Sequence, residues 1–207
     1  MSAAAVEHPC DGEPETPLQT ANRIMEQNPG YRVEIIGGVI TVTPSADIPH
    51  SRVLTKLMIP LIAAGLDDGE TEVHQAISVW LPSGPMDYVI PDLAIVDADI
   101  DDHMVEDGGA DPACFRLVLE VTSSNYNNDL RNKVVAYAEA RIPVYVIVDR
   151  KHQRVHVLTE PDGTEYVSHR VYAPGQQAPL PDSIGAKVTL DVEALLKAGA
   201  RKPRTDA

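Results

Sequence analysis

Three residues whose side chains could take part in hydrolysis lie on consecutive apolar segments of the chain. Asp92 follows Pro91 inside an apolar strand, Glu120 closes the next apolar strand, and Lys133 lies on the helix after it. An ionised carboxylate in such a position is costly to bury unless it is paired or bound to a metal ion. Carboxylate oxygens are the ligands that Mg²⁺ prefers, so the pattern predicts metal-assisted hydrolysis.

Each of these residues also has a simpler interpretation. Asp92 and Glu120 could be carboxylates at strand ends that face water or cap neighbouring amides. Lys133 could be a solvated helical lysine that pairs with Asp129 one turn earlier. Glu34 lies on a strand of a hairpin, where a structural role and an auxiliary catalytic role are equally compatible with the sequence.

Other polar residues give weaker signals. His50 lies near the first turn of a predicted helix, which favours a surface or packing role over one lining a site, and Tyr137 is expected in the core. His152 and His156 have the spacing of a helical metal pair, but the residues around His156 alternate as in a strand. The cluster Asp99–Asp102 lacks the glycine and terminal glutamate of an EF-hand loop, so a solvated loop is expected.

The elements before Asp92 are predicted from periodicity and turn residues. A short helix over 18–27 precedes a hairpin with strands at 31–36 and 39–43, joined by Gly37-Gly38. Apolar residues at helical spacing predict a helix over 48–66, which Pro60 should kink or divide. Strands follow at 73–81 and 88–96, before an acidic loop at 97–111.

The elements that carry Glu120 and Lys133 form a βαβ pattern. Apolar runs at 114–121 and 144–148 predict buried strands, and the helix between them is capped by Asn127 or Asn128. A crossover of this length places the two strands parallel. With later strands at 155–159 and 166–171 and a last helix at 192–197, the chain is predicted to be α/β, with a mixed central sheet flanked by helices.

Composition indicates one globular domain. Hydrophobic residues make up 43% of the 207 residues and charged residues 23%, close to globular averages. We expect a disordered tail at 1–17, the domain at 18–198 and a polar tail at 199–207. Only Cys10 and Cys114 are present, and no secretion signal or membrane segment is apparent, so a cytoplasmic location is expected.

The net charge argues against tight binding of duplex DNA, although the distribution of the charges weakens this objection. The formal net charge is −14, whereas phosphate binding depends on Lys and Arg. Only residues 113–154 are basic, with seven Lys and Arg against four Asp and Glu. If the protein binds DNA, we expect it to use the residues of this segment, namely Arg131, Arg141, Arg150, Lys151 and Arg154.

Several motifs together resemble a known family. The stretches VIPDL (89–93) and LVLEVTS (117–123) are similar to the signature of PD-(D/E)XK nucleases, except that Thr122 stands where a lysine is expected. Asp129, Lys133 and Tyr137 on one helix face, then IPVYVIVD (142–149), the hairpin YRVEIIGG (31–38) and His50, resemble the Uma-two family of restriction-endonuclease-like domains. The resemblance covers residues 18–196, and in that family the lysine has moved from the strand to the helix.

The resemblance implies a role for each candidate residue. Asp92, Glu120 and the backbone carbonyl of Val121 would bind Mg²⁺ or Mn²⁺. Lys133 would orient the attacking water or stabilise charge on the phosphate, and Glu34 would be an auxiliary carboxylate. The expected fold is restriction-endonuclease-like, and the expected function is a metal-dependent endonuclease acting on DNA phosphodiester bonds.

An alternative function and an oligomeric state remain open at this point. Thr122 and the acidic charge also fit an inactive nuclease fold that serves as a binding or assembly module. A homodimer is compatible with cleavage of both DNA strands and with covering of sheet edges.

Overall fold

The computed structural model of the protein describes residues 14–105, 109–122 and 128–201. The helices are α1 (Pro17–Gln27), α2 (Ile48–Ala63), α3 (Lys133–Glu139) and α4 (Val192–Ala198). The strands are β1 (Arg32–Ile36), β2 (Val39–Thr43), β3 (Thr71–His74), β4 (Val79–Trp80), β5 (Tyr88–Val89), β6 (Leu93–Asp97), β7 (Phe115–Val121), β8 (Val144–Asp149), β9 (Arg154–Asp162), β10 (Glu165–Tyr172), β11 (Gln177–Pro179) and β12 (Thr189–Asp191). Most of the expected tails, residues 1–13 and 202–207, lie outside the described ranges.

A mixed sheet of six strands forms the centre of the fold. The strand order is β10-β9-β8-β7-β6-β3. Strands β7 and β8 are parallel, and the other neighbouring strands of this sheet are antiparallel. The helix between β7 and β8 is the crossover that the sequence predicts. A four-stranded sheet, β2-β1-β5-β4, and the ribbon β11-β12 accompany it. The predicted α/β class with a mixed central sheet is confirmed.

The two faces of the central sheet are covered by different elements. Leu117, Leu119 and Val121 of β7 pack in one core cluster with residues of α2 and α4. Val118 packs in the other cluster with residues of α3. Because side chains alternate along a strand, Glu120 points to the same face as Val118, beneath α3.

Two predicted strands are wrong because each is divided between the two larger sheets. The predicted strand at 73–81 is β3 and β4, and Ala76 between them has a φ of 55°. The predicted strand at 88–96 is β5 and β6, separated by residues 90–92. Pro91 lies in this break, as expected for a residue that cannot donate to a ladder. Asp92 therefore lies in the break and not inside a strand.

Two helices also differ from their predicted form. α2 runs without interruption from Ile48 to Ala63, so Pro60 does not divide it. Pro60 lies in the last turn, where one lost hydrogen bond does not end the helix earlier. Before α3, Asn128–Asn132 form a π-helical turn, a feature often found at functional sites. Asn127 lies outside the described residues. None of the described helices is long and apolar enough to cross a bilayer.

Candidate active site

Asp92 is held by three different elements. Its Oδ2 accepts a hydrogen bond of 2.8 Å from the amide of Val121 at the end of β7. Its Oδ1 accepts a 2.8 Å hydrogen bond from the guanidinium of Arg32 on β1. The Nε2 of His50, in the first turn of α2, lies 3.2 Å from Oδ2. The break after β5 thus places this carboxylate against the residue that follows Glu120.

These neighbours keep Asp92 ionised. Burial alone would raise the pKa of this carboxyl, but the His50 imidazole, the Arg32 guanidinium and the Val121 amide together hold its pKa well below the usual aspartate value. The pKa of Arg32 is raised: its burial opposes the charged form, but the nearby carboxylates outweigh this effect. Asp92 is therefore a carboxylate at neutral pH.

Lys133 joins two further carboxylates below α3. Its Nζ donates to Glu120 Oε1 and to Glu34 Oε1, each at 2.8 Å. The hydroxyl of Tyr137, one turn later on α3, donates to the same Glu120 oxygen at 2.9 Å. Glu34, Glu120 and Lys133 are 1–3% exposed. The ammonium thus lies between Glu120 and Glu34.

The buried cluster has more negative than positive charge. Burial raises the pKa of Glu120 well above its usual value, although Lys133 opposes the shift and the carboxylates around it add to it. Burial by itself would lower the pKa of Lys133. The negative charges of Glu120, Glu34 and Asp129 outweigh this effect, so the pKa of Lys133 is raised. Lys133 therefore stays positively charged at neutral pH, a fixed cation, while the negative charge of ionised Glu120 is only partly balanced by its neighbours.

Asp129, in the π-helical turn, is the fourth carboxyl of the cluster. Its Oδ1 lies 3.9 Å from Lys133 Nζ. Burial, with the charges of Asp92 and Glu34, raises its pKa to about 6, against the opposing effect of Lys133. Ionisation of Asp129 thus costs the folded protein stability as the pH rises from about 4 through about 6.

We expect Asp129→Asn to stabilise the metal-free protein at pH 8. The gain is about 1–3 kcal/mol, because each tenfold change in proton affinity corresponds to about 1.4 kcal/mol. It should shrink towards pH 4, where Asp129 is protonated. Urea denaturation in EDTA at both pH values measures it, with the exposed Asp68→Asn as control. Lower stability of Asp129→Asn at pH 8 would refute the electrostatic account.

Arg32 and His50 are site residues that the sequence analysis missed. His50 was expected to be a surface or packing residue, but it is only 5% exposed and lies beside Asp92. Neither of its ring nitrogens has a hydrogen bond of acceptable geometry within the described part of the chain. Arg32 had one available signal, because it precedes Glu34 by two residues on the same strand and so shares its face. Tyr137 is in the core, as expected, and also contacts Glu120.

The cluster opens into a cavity of about 510 Å³. Besides the cluster, its walls include the loop before α2, the turn between β8 and β9, and the start of the C-terminal segment. The cations that line it are Arg32, Lys133, Arg150, Lys151 and Arg201. Of the basic segment expected to face DNA, Arg150 and Lys151 line this cavity, whereas Arg131, Arg141 and Arg154 do not.

Thr122, which stands where a lysine is expected in the strand, has a structural contact. Its hydroxyl oxygen accepts a 3.0 Å hydrogen bond from the amide of Arg150. Lys133 brings an ammonium to Glu120 from the helix instead. This placement agrees with the migrated lysine that the family resemblance implies.

The histidines rejected as a metal pair lie outside this cavity's lining. His156 is on β9 and His152 is in the preceding turn, as the alternation predicts, and both lie near Asp149. Within residues 14–105, 109–122 and 128–201, no three His, Cys, Asp or Glu side chains are grouped so that they could hold a metal ion by themselves. A metal ion in the cavity would therefore need main-chain oxygen or water in addition to carboxylates.

Comparison with known proteins places the chain in a family. The family model described as "Uma2: Putative restriction endonuclease" matches residues 19–193. The chain belongs to the Uma2 family. A solved structure of similar fold is described as a "putative nuclease belonging to DUF820 from Anabaena variabilis ATCC 29413". It matches with a TM-score of 0.61 at 15% identity, over 81% of this chain and 91% of that chain. At this identity the likeness shows the fold alone. Curated proteins give no match.

Proposed function

We propose that this Uma2 protein is a metal-dependent nuclease that hydrolyses DNA phosphodiester bonds. The family description and the description of the structural neighbour support a nuclease role. The observation that carries the proposal is the buried cluster in which Lys133 contacts Glu120 while Asp92 accepts the amide of Val121, the next residue. We also propose that residues 18–198 form one nuclease-like domain.

The charge of the cluster suits a divalent cation. The carboxyls of Glu34, Asp92, Glu120 and Asp129 face the ammonium of Lys133 and the guanidinium of Arg32. Four carboxylates against two cations leave two negative charges uncompensated. Burial raises the pKa values of Glu120 and Asp129, and the neighbouring carboxylates add to this shift. A divalent cation supplies the missing charge, and Mg²⁺ needs only one or two protein carboxylates.

Each residue has a role that its contacts support. Asp92, Glu120 and the carbonyl of Val121 would hold Mg²⁺ or Mn²⁺, which supplies positive charge against the phosphate and activates water at neutral pH. Lys133, a fixed cation beside Glu120, offsets charge that develops on the phosphate oxygens. Glu34 and Tyr137 hold Lys133 and Glu120 in position, and Arg32 holds Asp92.

An inactive module with a nuclease fold is the competing function. Such a module has no need to bury three carboxyls around one lysine, an arrangement that costs stability unless it serves a purpose. The buried cluster therefore favours catalysis. DNA cleavage that depends on added metal separates the two functions.

We expect Mn²⁺ or Mg²⁺ to raise the thermal midpoint of the wild type by several degrees, because a ligand that binds only the folded state stabilises it. Glu120→Gln should lose most of this rise, because it removes one ligand and one negative charge. Asp101→Asn, in the exposed acidic cluster, should keep it and serves as the matched control. An equal metal-induced rise in Glu120→Gln and the wild type would place the metal elsewhere.

The experiment that tests the proposed function is incubation of the wild type with DNA in the presence of Mn²⁺, Mg²⁺ or EDTA. Cleavage in either metal and none in EDTA is the expected result. A folded wild type that binds metal but cleaves no nucleic acid would support the inactive module.

A further inference from the structure

We infer that the site takes a single nucleic-acid strand, either an unpaired segment or a strand end, rather than an intact double helix. This inference rests on the proposed nuclease function and concerns its substrate. Three observations support it: the depth of the reacting groups, the size and walls of the cavity, and the charge around its lining.

The groups proposed to act on the phosphate lie inside the protein. Asp92, Glu120 and Lys133 are each only 2–3% exposed. A phosphodiester must therefore enter the cavity to reach them. In a duplex each phosphate is held on the outside of a wide, stiff helix, whereas a single strand can bend and pass a phosphate inward.

The cavity has the dimensions of a small-ligand site. Its volume of about 510 Å³ falls in the range of roughly 300–1,000 Å³ typical of sites for small molecules. It can admit a short stretch of one strand. A double helix, whose major groove alone is about 12 Å wide, is too large to enter.

An ion pair fixes two of the cavity walls to each other. The guanidinium of Arg150, in the turn after β8, donates to both carboxylate oxygens of Asp47 at 3.0 and 3.1 Å. The hydrogen bonds from Arg150 lower the pKa of Asp47. The partial burial of Asp47 opposes this shift but is the smaller effect. Asp47 also accepts from the amide of His50, capping α2. The walls formed by these segments are thus joined, which opposes widening of the cavity around a duplex.

The negative charge of the protein favours a single strand, which has a lower charge density than a duplex. A duplex carries one negative charge per about 1.7 Å of its axis, twice the density of one strand, and the protein has a net charge of −14. Three of the lining cations, Arg32, Lys133 and Arg150, are already paired with carboxylates of the protein. Most of the lining cations are therefore already engaged, so a duplex is repelled more strongly than a single strand.

The test compares one sequence in three forms at equal ionic strength. A labelled 30-nucleotide strand, the same strand in a blunt duplex, and a duplex with an unpaired tail are each incubated with the wild type in Mn²⁺. We expect the single strand to be cleaved at least tenfold faster than the blunt duplex, and cleavage of the third substrate to be confined to its tail. Equal or faster cleavage of the blunt duplex would overturn the inference.

Binding provides a second measurement that does not depend on cleavage. Fluorescence anisotropy with the same DNAs, in EDTA and in Ca²⁺, should give at least tenfold tighter binding of the single strand. If neither DNA is cleaved but the single strand is bound more tightly, the proposed nuclease function fails and the strand preference stands. If the duplex is bound equally well, or if neither DNA is bound or cleaved, the strand preference is wrong.

Arg201 allows a matched pair of variants. It is exposed and lines the cavity, whereas the exposed Arg154 does not. We expect Arg201→Glu to weaken single-strand binding at least threefold and Arg154→Glu to leave it unchanged. Equal effects of the two variants would show that the strand does not bind at this cavity.

Discussion

Lys133→Met is expected to lower the free energy of unfolding of the metal-free protein by about 3–5 kcal/mol at pH 8, the usual effect of removing one partner from a buried ion pair. The lysine side chain is 3% exposed, and its ammonium hydrogen-bonds both Glu34 and Glu120. Without it, two buried carboxyls lose their counter-charge. Methionine fills a similar volume, so the loss reports charge more than packing. Urea denaturation in EDTA measures the effect.

The control for this prediction is Lys197→Met on α4. Its side chain is 74% exposed and pairs with Glu193 one turn away, so we expect little change in the free energy of unfolding. The loss in Lys133→Met should also shrink as the pH falls, because Glu120, whose pKa is already raised, then becomes protonated. If Lys133→Met and Lys197→Met unfold at the same urea concentration, the lysine is not the counter-ion of the cluster.

Asp92→Asn is expected to reduce metal-dependent cleavage at least a thousandfold while the protein stays folded. Loss of a metal ligand removes several kcal/mol of stabilisation from the transition state, and about 1.4 kcal/mol corresponds to a tenfold change in rate. The asparagine oxygen can still accept a hydrogen bond from the Val121 amide or from Arg32. Initial rates at saturating Mn²⁺, with circular dichroism of the same preparations, give the comparison.

A variant in the exposed acidic segment provides the reference for Asp92. Asp99→Asn changes the same charge by the same substitution in a side chain that is 63% exposed, and it should cleave at the wild-type rate. Cleavage by Asp92→Asn within tenfold of Asp99→Asn would remove Asp92 from the proposed metal site.

The central part of the site could be predicted because its residues interrupt buried apolar segments. Glu120 stands at the end of β7, where six of the seven residues are buried, and a charged residue there needs a partner. The parallel pairing of β7 with β8 follows from the length of the crossover that carries Lys133. These features are local in sequence or follow from one supersecondary unit.

The rest of the site depends on contacts between distant segments. His50 and Asp92 are far apart in the chain, and no periodicity indicates that the first turn of α2 meets the break after β5. Glu34 was undecided for the same reason, since its burial depends on the contact with Lys133, 99 residues later. The strand boundaries around Asp92 could have been predicted more accurately, because Pro91 already argues against a continuous central strand at this position.

The measurement that tests the central claim most directly is DNA cleavage by four identically purified, folded proteins in Mn²⁺ and in EDTA: the wild type, Asp92→Asn, Glu120→Gln and Lys133→Met. The buried cluster of Asp92, Glu120 and Lys133 predicts cleavage by the wild type in Mn²⁺, none in EDTA, and losses of at least a hundredfold in all three variants. Cleavage that persists in the three variants, or a folded wild type that cleaves neither single-stranded nor duplex DNA in any metal, would contradict it.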